Sequence, residues 1–331
     1  MSVNLIIGAP AKEAFSPSQI TILGAGLMGT ALAVVHARLG LEVLLFDLDQ
    51  SKLELAKDST QQIFHTLLSS ADINEHESKR FFNAIRFEGD LETALANTTF
   101  ILEVITEKKD LKKVLFKQID EIAAPEALIC SNTSYLNVFE IVPERRLKNC
   151  LITHWYTPPY IIDLIDVVPS DPIFMPLANS VADYYRAEGK HPIVFKKFVA
   201  GYIANRLQSA LNLEAFQLME NEGISAVDID ESIQYGLALR LLLLGQMKKA
   251  DFTGLEMVRN GLATRAYQPP EFDGKSKILN TLLAQGRTGV SSGKGFYEYG
   301  SKSPKEIYEE RDRQLLALKR LTSAFLDRGG L

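Results

Sequence analysis

The chain has 331 residues, 46% hydrophobic and 23% charged, with a net charge of −5 at pH 7. This length exceeds what one hydrophobic core usually holds, so two domains are expected. The acidic balance argues against nucleic acid as the main partner, because phosphate binding requires a basic face. It leaves room for a small anionic substrate.

The cysteines, the histidines and the apolar runs bear on the compartment and on metal binding. Only two cysteines occur, Cys130 and Cys150, which favours a reducing compartment. The five histidines are scattered, so no metal-ligand cluster is predicted. The first residues resemble no secretion signal, and no apolar run approaches the ~20 residues of a membrane span. We therefore expect a cytoplasmic protein without membrane contact.

A strand–turn–helix signal follows an N-terminal extension, residues 1–18, that shows no periodicity. An apolar strand over 20–23 leads into Gly24, Gly26 and Gly29, a G-x-G-x-x-G pattern that opens a helix over about 27–38. The first glycine permits a tight turn, the second lets backbone approach a pyrophosphate, and the third lets helix and strand pack closely. The phosphates then lie at the helix N-terminus, beside Leu27 and Met28, where free N–H groups favour anions.

The second apolar strand, 43–46, ends in Asp47, 18 residues beyond Gly29. A carboxylate at this position can accept hydrogen bonds from a ribose diol. A 2′-phosphate beside it would be repelled by roughly 4 kcal/mol. The pattern therefore predicts NAD rather than NADP.

Further strands and helices alternate along the first half of the chain. Ser51 and Glu54 form a capping-box pattern that predicts a helix from about Lys52, and residues 52–83 are predicted to form two helices with a break at 72–74. Strands are predicted at 85–87, 100–104 and 128–130, with a helix over 109–123. This alternation is typical of a Rossmann-type, doubly wound parallel sheet, and we assign it to residues 19–198.

Residues 199–331 are predicted to form an all-helical second domain. Apolar residues from Ile203 to Ala215 recur at helical spacing, and Ser225 with Asp228 caps another helix. Ser303, Pro304 and Glu306 open a terminal helix. Its predicted apolar face carries Leu318, Leu321 and Phe325.

The segment LITHWYTPPYIIDLIDVVPS carries the clearest catalytic pattern. His154 lies at a strand end, and Asp166 follows twelve residues later in a second apolar stretch. A returning strand would bring the two side chains together. A neutral imidazole accepts the proton of an alcohol as hydride leaves carbon, and a carboxylate fixes its tautomer and stabilises the imidazolium. This pair predicts an alcohol dehydrogenase.

In these motifs the sequence resembles the L-3-hydroxyacyl-CoA dehydrogenase family. That family includes a lens crystallin and relatives that act on free sugar acids such as L-gulonate. The resemblance extends over about residues 19–299. It is carried by GAGLMG, Asp47, ILEVITEKKDLK, SNTS, HWY-x-P, GKHP, GYIANRL and GKGFYEY.

The resemblance implies roles for individual residues. His154 matches the catalytic base, Asp166 its orienting acid, and Ser134 the serine that binds the substrate oxygen, although a turn cap is the alternative for Ser134. Asn205 matches an asparagine that the second domain brings to the substrate, although a capping or interdomain role is the alternative.

Glu107 and Lys112 match residues near the nicotinamide end of the cofactor, with a solvated helix start as the alternative. The resemblance also implies a homodimer.

The sequence departs from the family's residue pattern at two positions that concern catalysis. Asp166 replaces the family's usual glutamate and reaches roughly 1.5 Å less far. Thr157 stands where asparagine is usual before the proline. Both changes could retune or reduce activity.

A third departure concerns the substrate. Ile63 and Ser70 occupy the positions from which a serine and a lysine hold the adenine–phosphate end of CoA, although Lys79 and Arg80 could serve instead. We therefore expect a small 3-hydroxy acid slightly more than its acyl-CoA thioester. Two alternatives stay open: reduction of an imine or another carbonyl, and a cofactor-binding, crystallin-like protein with little turnover.

Overall fold

The computed structural model describes residues 15–265, 267–271 and 274–326. The chain forms two compact units, the first ending at Tyr202 and the second beginning at Ile203. Most of the predicted N-terminal extension, residues 1–14, lies outside the described residues. Within the described ranges, no helix is both long and apolar enough to cross a membrane.

One eight-stranded sheet forms the centre of the first unit. Its strands are β1 Gln19–Leu23, β2 Glu42–Phe46, β3 Ile85–Glu88, β4 Phe100–Glu103, β5 Leu128–Ser131, β6 Cys150–Trp155, β7 Leu164–Pro169 and β8 His191–Val194. Their spatial order is β3-β2-β1-β4-β5-β6-β7-β8, and β1 to β6 are parallel. The predicted doubly wound parallel sheet is confirmed.

Helices connect most of these strands. They are α1 Leu27–Arg38, α2 Gln50–Ser69, α3 Glu75–Asn83, α4 Leu91–Leu95, α5 Lys109–Ile122 and α6 Met175–Ala187. In α1 every residue from Gly29 to Ala37 is buried, so this helix is covered on all sides rather than along one stripe. Strands β4, β5 and β6 are buried throughout, as expected for parallel strands covered on both faces.

The predicted returning strand is β7, which runs antiparallel to β6. Two local features differ from the sequence predictions. Neither α6 nor β8, which pairs in parallel with β7, was predicted; β8 is only four residues long and contains Pro192, so it shows almost no periodicity. The capping box at Ser51 and Glu54 was wrong: α2 begins at Gln50, and the Asp49 side chain caps it by accepting from the Ser51 N–H.

The second unit is helical, as predicted. Its helices are α7 Ala204–Asn221, α8 Ala226–Glu231, α9 Leu239–Thr253, α10 Leu255–Ala263, α11 Lys277–Ala284 and α12 Pro304–Leu326, with a π-helical segment at Ser232–Ala238. The predicted Ser225 cap on α8 is confirmed. Among the described residues of this unit, only Gly295, Asp312 and Leu316 are buried.

Candidate active site

The glycine turn joins β1 to α1, and each glycine has a distinct environment. Gly24 has φ +115°, and an added Cβ would lie 3.0 Å from the Val104 carbonyl oxygen. A Cβ on Gly29 would lie 1.7 Å from the Gly24 carbonyl oxygen, whereas one on Gly26 would meet no atom within 4 Å. The first and third glycines are therefore required by chain packing, and the second borders open space, as a pyrophosphate site requires.

The N-terminus of α1 borders that space. Gly26 is its N-cap residue, and no side chain caps the helix. Leu27 is highly exposed, and the Thr157 hydroxyl donates to the Met28 sulfur over 3.0 Å. Uncapped N–H groups at a helix N-terminus favour a bound phosphate, so this geometry fits a dinucleotide.

Asp47 follows β2 and lies beside the glycine turn. Its carboxylate accepts from the Ala25 N–H at 3.0 Å and from the Asp49 N–H at 3.1 Å. The Lys52 ammonium lies 3.8 Å away. Two carboxylate oxygens offer about four acceptor positions, which leaves room for a ribose diol.

His154 and Asp166 are directly opposite each other in the antiparallel pair of β6 and β7. Both are almost completely buried. His154 Nδ1 lies 3.4 Å from Asp166 Oδ2, which is long for a hydrogen bond, and His154 Nε2 lies 3.2 Å from the Ser134 hydroxyl. A carboxylate beside Nδ1 favours the proton there and leaves the Nε2 lone pair directed at Ser134. The structure therefore brings these three predicted residues together.

Two tyrosines enclose the imidazole, and sequence reasoning assigned a role to neither. The ring centres of Tyr156 and Tyr202 each lie 4.6 Å from that of His154. The Tyr202 hydroxyl donates to the Thr133 carbonyl. Burial, and then the charges of Asp166 and other nearby groups, raise the pKa of Tyr202 well above its usual range, so its hydroxyl stays protonated. The sequence signal of both was an aromatic residue inside a matched motif, HWY-x-P for Tyr156 and GYIANRL for Tyr202.

Glu107 holds the loop that carries Ser134. One of its oxygens accepts from the Thr133 hydroxyl at 2.6 Å and from the N–H groups of Ser134 and Tyr135 at 2.9 Å. Burial alone would raise the pKa of Glu107, but these bonds and the charge of Lys112 outweigh it and hold the pKa below its usual range. The carboxylate therefore stays anionic and fixes the loop.

Lys112 is fully buried in an ionic cluster. Its ammonium lies 2.6 Å from a Glu103 oxygen and 3.4 Å from a Glu107 oxygen, and it donates to the Ile105 carbonyl. The other Glu103 oxygen accepts from the Ser131 hydroxyl at 2.6 Å. Glu103 was not predicted, although a glutamate ending the apolar strand FILE was its signal.

Asn205 belongs to the second unit, in the first turn of α7, where its carbonyl accepts from the Ser209 hydroxyl. Its role at the substrate stays a prediction. In the part of the chain that the structure describes, no group of three or more histidine, cysteine or acidic side chains is arranged to hold a metal ion.

Comparison with known proteins gives a consistent result. The NAD binding domain of 3-hydroxyacyl-CoA dehydrogenase matches residues 19–198, and the C-terminal domain of the same family matches 201–299. A 5-formyl-3-hydroxy-2-methylpyridine 4-carboxylate 5-dehydrogenase from Mesorhizobium japonicum is 26% identical over 307 residues, 91% of this chain and 97% of that protein. Mitochondrial hydroxyacyl-coenzyme A dehydrogenase from Sus scrofa is 27% identical over 289 residues, 85% of this chain and 90% of that protein.

A solved structure shows the same fold. The crystal structure of a 5-formyl-3-hydroxy-2-methylpyridine 4-carboxylic acid 5-dehydrogenase, described as an NAD+ dependent dismutase, superposes with a TM-score of 0.82. The match covers 93% of this chain and 99% of that one at 24% identity.

Proposed function

Because the chain belongs to the 3-hydroxyacyl-CoA dehydrogenase family and is an NAD-dependent dehydrogenase, we propose that it interconverts a 3-hydroxy acid, or its thioester, and the 3-oxo form. The observation that carries this proposal is the arrangement of Ser134 beside the buried pair of His154 and Asp166. In this proposal His154 is the general base.

The chain's own residues account for the proton. In the oxidative direction, the substrate hydroxyl displaces the Ser134 contact at His154 Nε2 and passes its proton to that nitrogen. Asp166 stabilises the resulting imidazolium, and Ser134 donates to the substrate oxygen. Bound NAD supplies the acceptor for the hydride that leaves the carbinol carbon, so the proton and the two electrons both have a destination.

The cofactor site is proposed on the glycine turn, with Gly24, Gly26 and Gly29 shaping it and Leu27 and Met28 at the helix N-terminus. In this proposal Asp47 would hold the adenosine ribose, and Glu107 would belong to the nicotinamide end of the site.

Lys112 acts on this site through Glu107, because its own ammonium is enclosed by protein acceptors. The domains proposed are 19–198 for the cofactor and 199–331 for substrate and dimerisation, with Asn205 reaching the substrate.

The acyl group is the least constrained part of the proposal. The Mesorhizobium relative is named for a free carboxylate and the pig relative for a hydroxyacyl thioester. We favour the free acid because Ile63 and Ser70 offer no charge at the positions expected to hold CoA.

A homodimer is supported by the second unit itself. Large apolar side chains are exposed along several of its helices, among them Leu239, Met247, Leu262 and Leu321, each more than 70% exposed. Few of the described residues of this unit are buried, and a second copy of the chain would cover its exposed apolar side chains. Sedimentation velocity tests this: a 36.8 kDa species at micromolar concentration would refute it.

We also propose that the protein works in a reducing compartment, the cytoplasm. The support is that Cys130 and Cys150 are buried and form no disulfide.

One substrate panel tests the activity. NAD is supplied with 3-hydroxyacyl-CoA thioesters, free 3-hydroxy acids and aldonic acids, and NADH formation is followed by absorbance. We expect turnover with a free acid and its loss in His154→Ala, with NADH fluorescence on binding nearly unchanged. NADH binding without turnover across the panel would favour the crystallin-like alternative. Equal loss of binding and turnover in His154→Ala would remove His154 from the catalytic role.

A further inference from the structure

The Tyr156 hydroxyl is the nearest hydrogen-bond donor to the Asp166 carboxylate. Tyr156 directly follows β6 and lies on the same face as His154, two residues earlier. Its hydroxyl lies 2.6 Å from Asp166 Oδ2, the same oxygen that His154 Nδ1 approaches only to 3.4 Å. The other oxygen, Oδ1, is buried and accepts no hydrogen bond from the described residues. The carboxylate is therefore held more closely by the phenol than by the imidazole.

We propose that Tyr156 is a positioning residue that holds Asp166 against His154 and shares the negative charge of their common oxygen. Its catalytic consequence rests on the proposed role of His154 as the base, whereas its effect on protonation does not. A short hydrogen bond from a neutral phenol stabilises the carboxylate anion. The anion then attracts a proton to the imidazole less strongly.

The sign of this effect is independent of where the proton resides. The His154–Asp166 pair carries one negative charge before it takes up a proton and none afterwards. A donor to the carboxylate stabilises the charged form of the pair and lowers its apparent pKa. Removing the phenol hydroxyl must therefore raise that pKa.

Other groups around the pair do not duplicate this contact. Tyr202 also lies against the imidazole, but its hydroxyl donates to a backbone carbonyl. Glu107 binds the loop of residues 133–136 and is paired with Lys112. On β8, the residue opposite Asp166 is the apolar Ile193. Tyr156 is thus the phenol placed to act on the carboxylate.

The test titrates His154 by NMR in the full chain without cofactor or substrate, so it does not depend on identifying the reaction. Histidine ring signals are followed from pH 5 to 9, and the His154 signal is assigned by its loss in His154→Gln. We expect Tyr156→Phe to raise the His154 pKa by about 0.5–1 unit. The matched control is Tyr202→Phe, which removes a hydroxyl from the other ring and leaves the Asp166 contact intact. It should not move the pKa.

An unchanged or lower His154 pKa in Tyr156→Phe would overturn the proposal, and so would an equal rise in Tyr202→Phe. If Tyr156→Phe fails to fold, 3-fluorotyrosine at position 156 keeps the ring and donates more strongly, so the pKa should fall. Once a substrate is known, the oxidation rate can be measured as a function of pH. The low-pH limb of that profile should move to higher pH in Tyr156→Phe. A limb that stays in place while the NMR pKa moves supports the positioning contact and counts against His154 as the base.

Discussion

His36 makes the stability of the first unit sensitive to acid. It is fully buried in α1, where its Nδ1–H donates to the Leu32 carbonyl at 2.8 Å and its Nε2 accepts from the Tyr185 hydroxyl at 2.9 Å. Burial, only partly opposed by the bond to Leu32, lowers the pKa of His36 from 6.5 to about 4. The folded protein thus keeps the imidazole neutral at pH values where the unfolded chain protonates it.

The size of the effect follows from linkage. Between pH 6.5 and 4 the unfolded state binds more protons at this residue, so stability is present above pH 6.5 and lost as pH falls towards 4. A difference of 2.5 pKa units, from 6.5 to about 4, corresponds to about 3 kcal/mol. That is a substantial share of the free energy of unfolding of an ordinary domain.

Trp155 provides the assay. It is the only tryptophan in the chain, is buried, and has its ring centre 5.5 Å from that of His36. Urea unfolding followed by its fluorescence, at a series of pH values, gives the free energy of unfolding of wild type and of His36→Gln, which cannot titrate. Carboxylates titrate in both proteins, so the difference isolates His36. We expect the advantage of wild type to shrink by about 3 kcal/mol between pH 7 and 4. A difference that stays constant across this range would refute the reasoning.

Two further predictions concern the cofactor turn and the ionic cluster. Gly29→Ala should lower the melting temperature, because its Cβ would overlap the Gly24 carbonyl, whereas Gly26→Ala should leave the melting temperature unchanged and weaken NADH binding by tenfold or more. Equal melting temperatures for the two variants would contradict this, as would unchanged NADH binding in Gly26→Ala. Lys112→Met leaves Glu103 buried without its counter-ion and should cost about 3–5 kcal/mol in urea unfolding, much of it recovered when Glu103→Gln is added. No recovery in the double variant would show that the ion pair is not the source of the loss.

The sequence predicts those features that neighbouring residues determine. The glycine turn and the alternation of strands and helices are local patterns, and His154 and Asp166 meet because one turn separates their strands. Glu103 was missed because its bond with Ser131 depends on how two separate strands align in space. Tyr156 was missed because the sequence does not show that its hydroxyl reaches Asp166. Strand β8 was missed because an edge strand of only four residues that contains proline gives almost no periodicity.

The single reversal of direction in the sheet explains how the proposed base obtains its acid. Parallel strands β2, β4, β5 and β6 all end at one edge of the sheet. Their shared direction alone therefore places Asp47, Glu103 and the loop after β5 at that edge. A further parallel strand would also present only its carboxyl end to that edge. Because β7 runs the other way, its first residues lie at the same edge, and Asp166 pairs with His154 across the two strands. Cross-strand pairing fixes the backbones, but the shorter aspartate leaves 3.4 Å between nitrogen and oxygen. Tyr156, attached to the same strand as the imidazole, then gives the carboxylate a second fixed point from the histidine's own side.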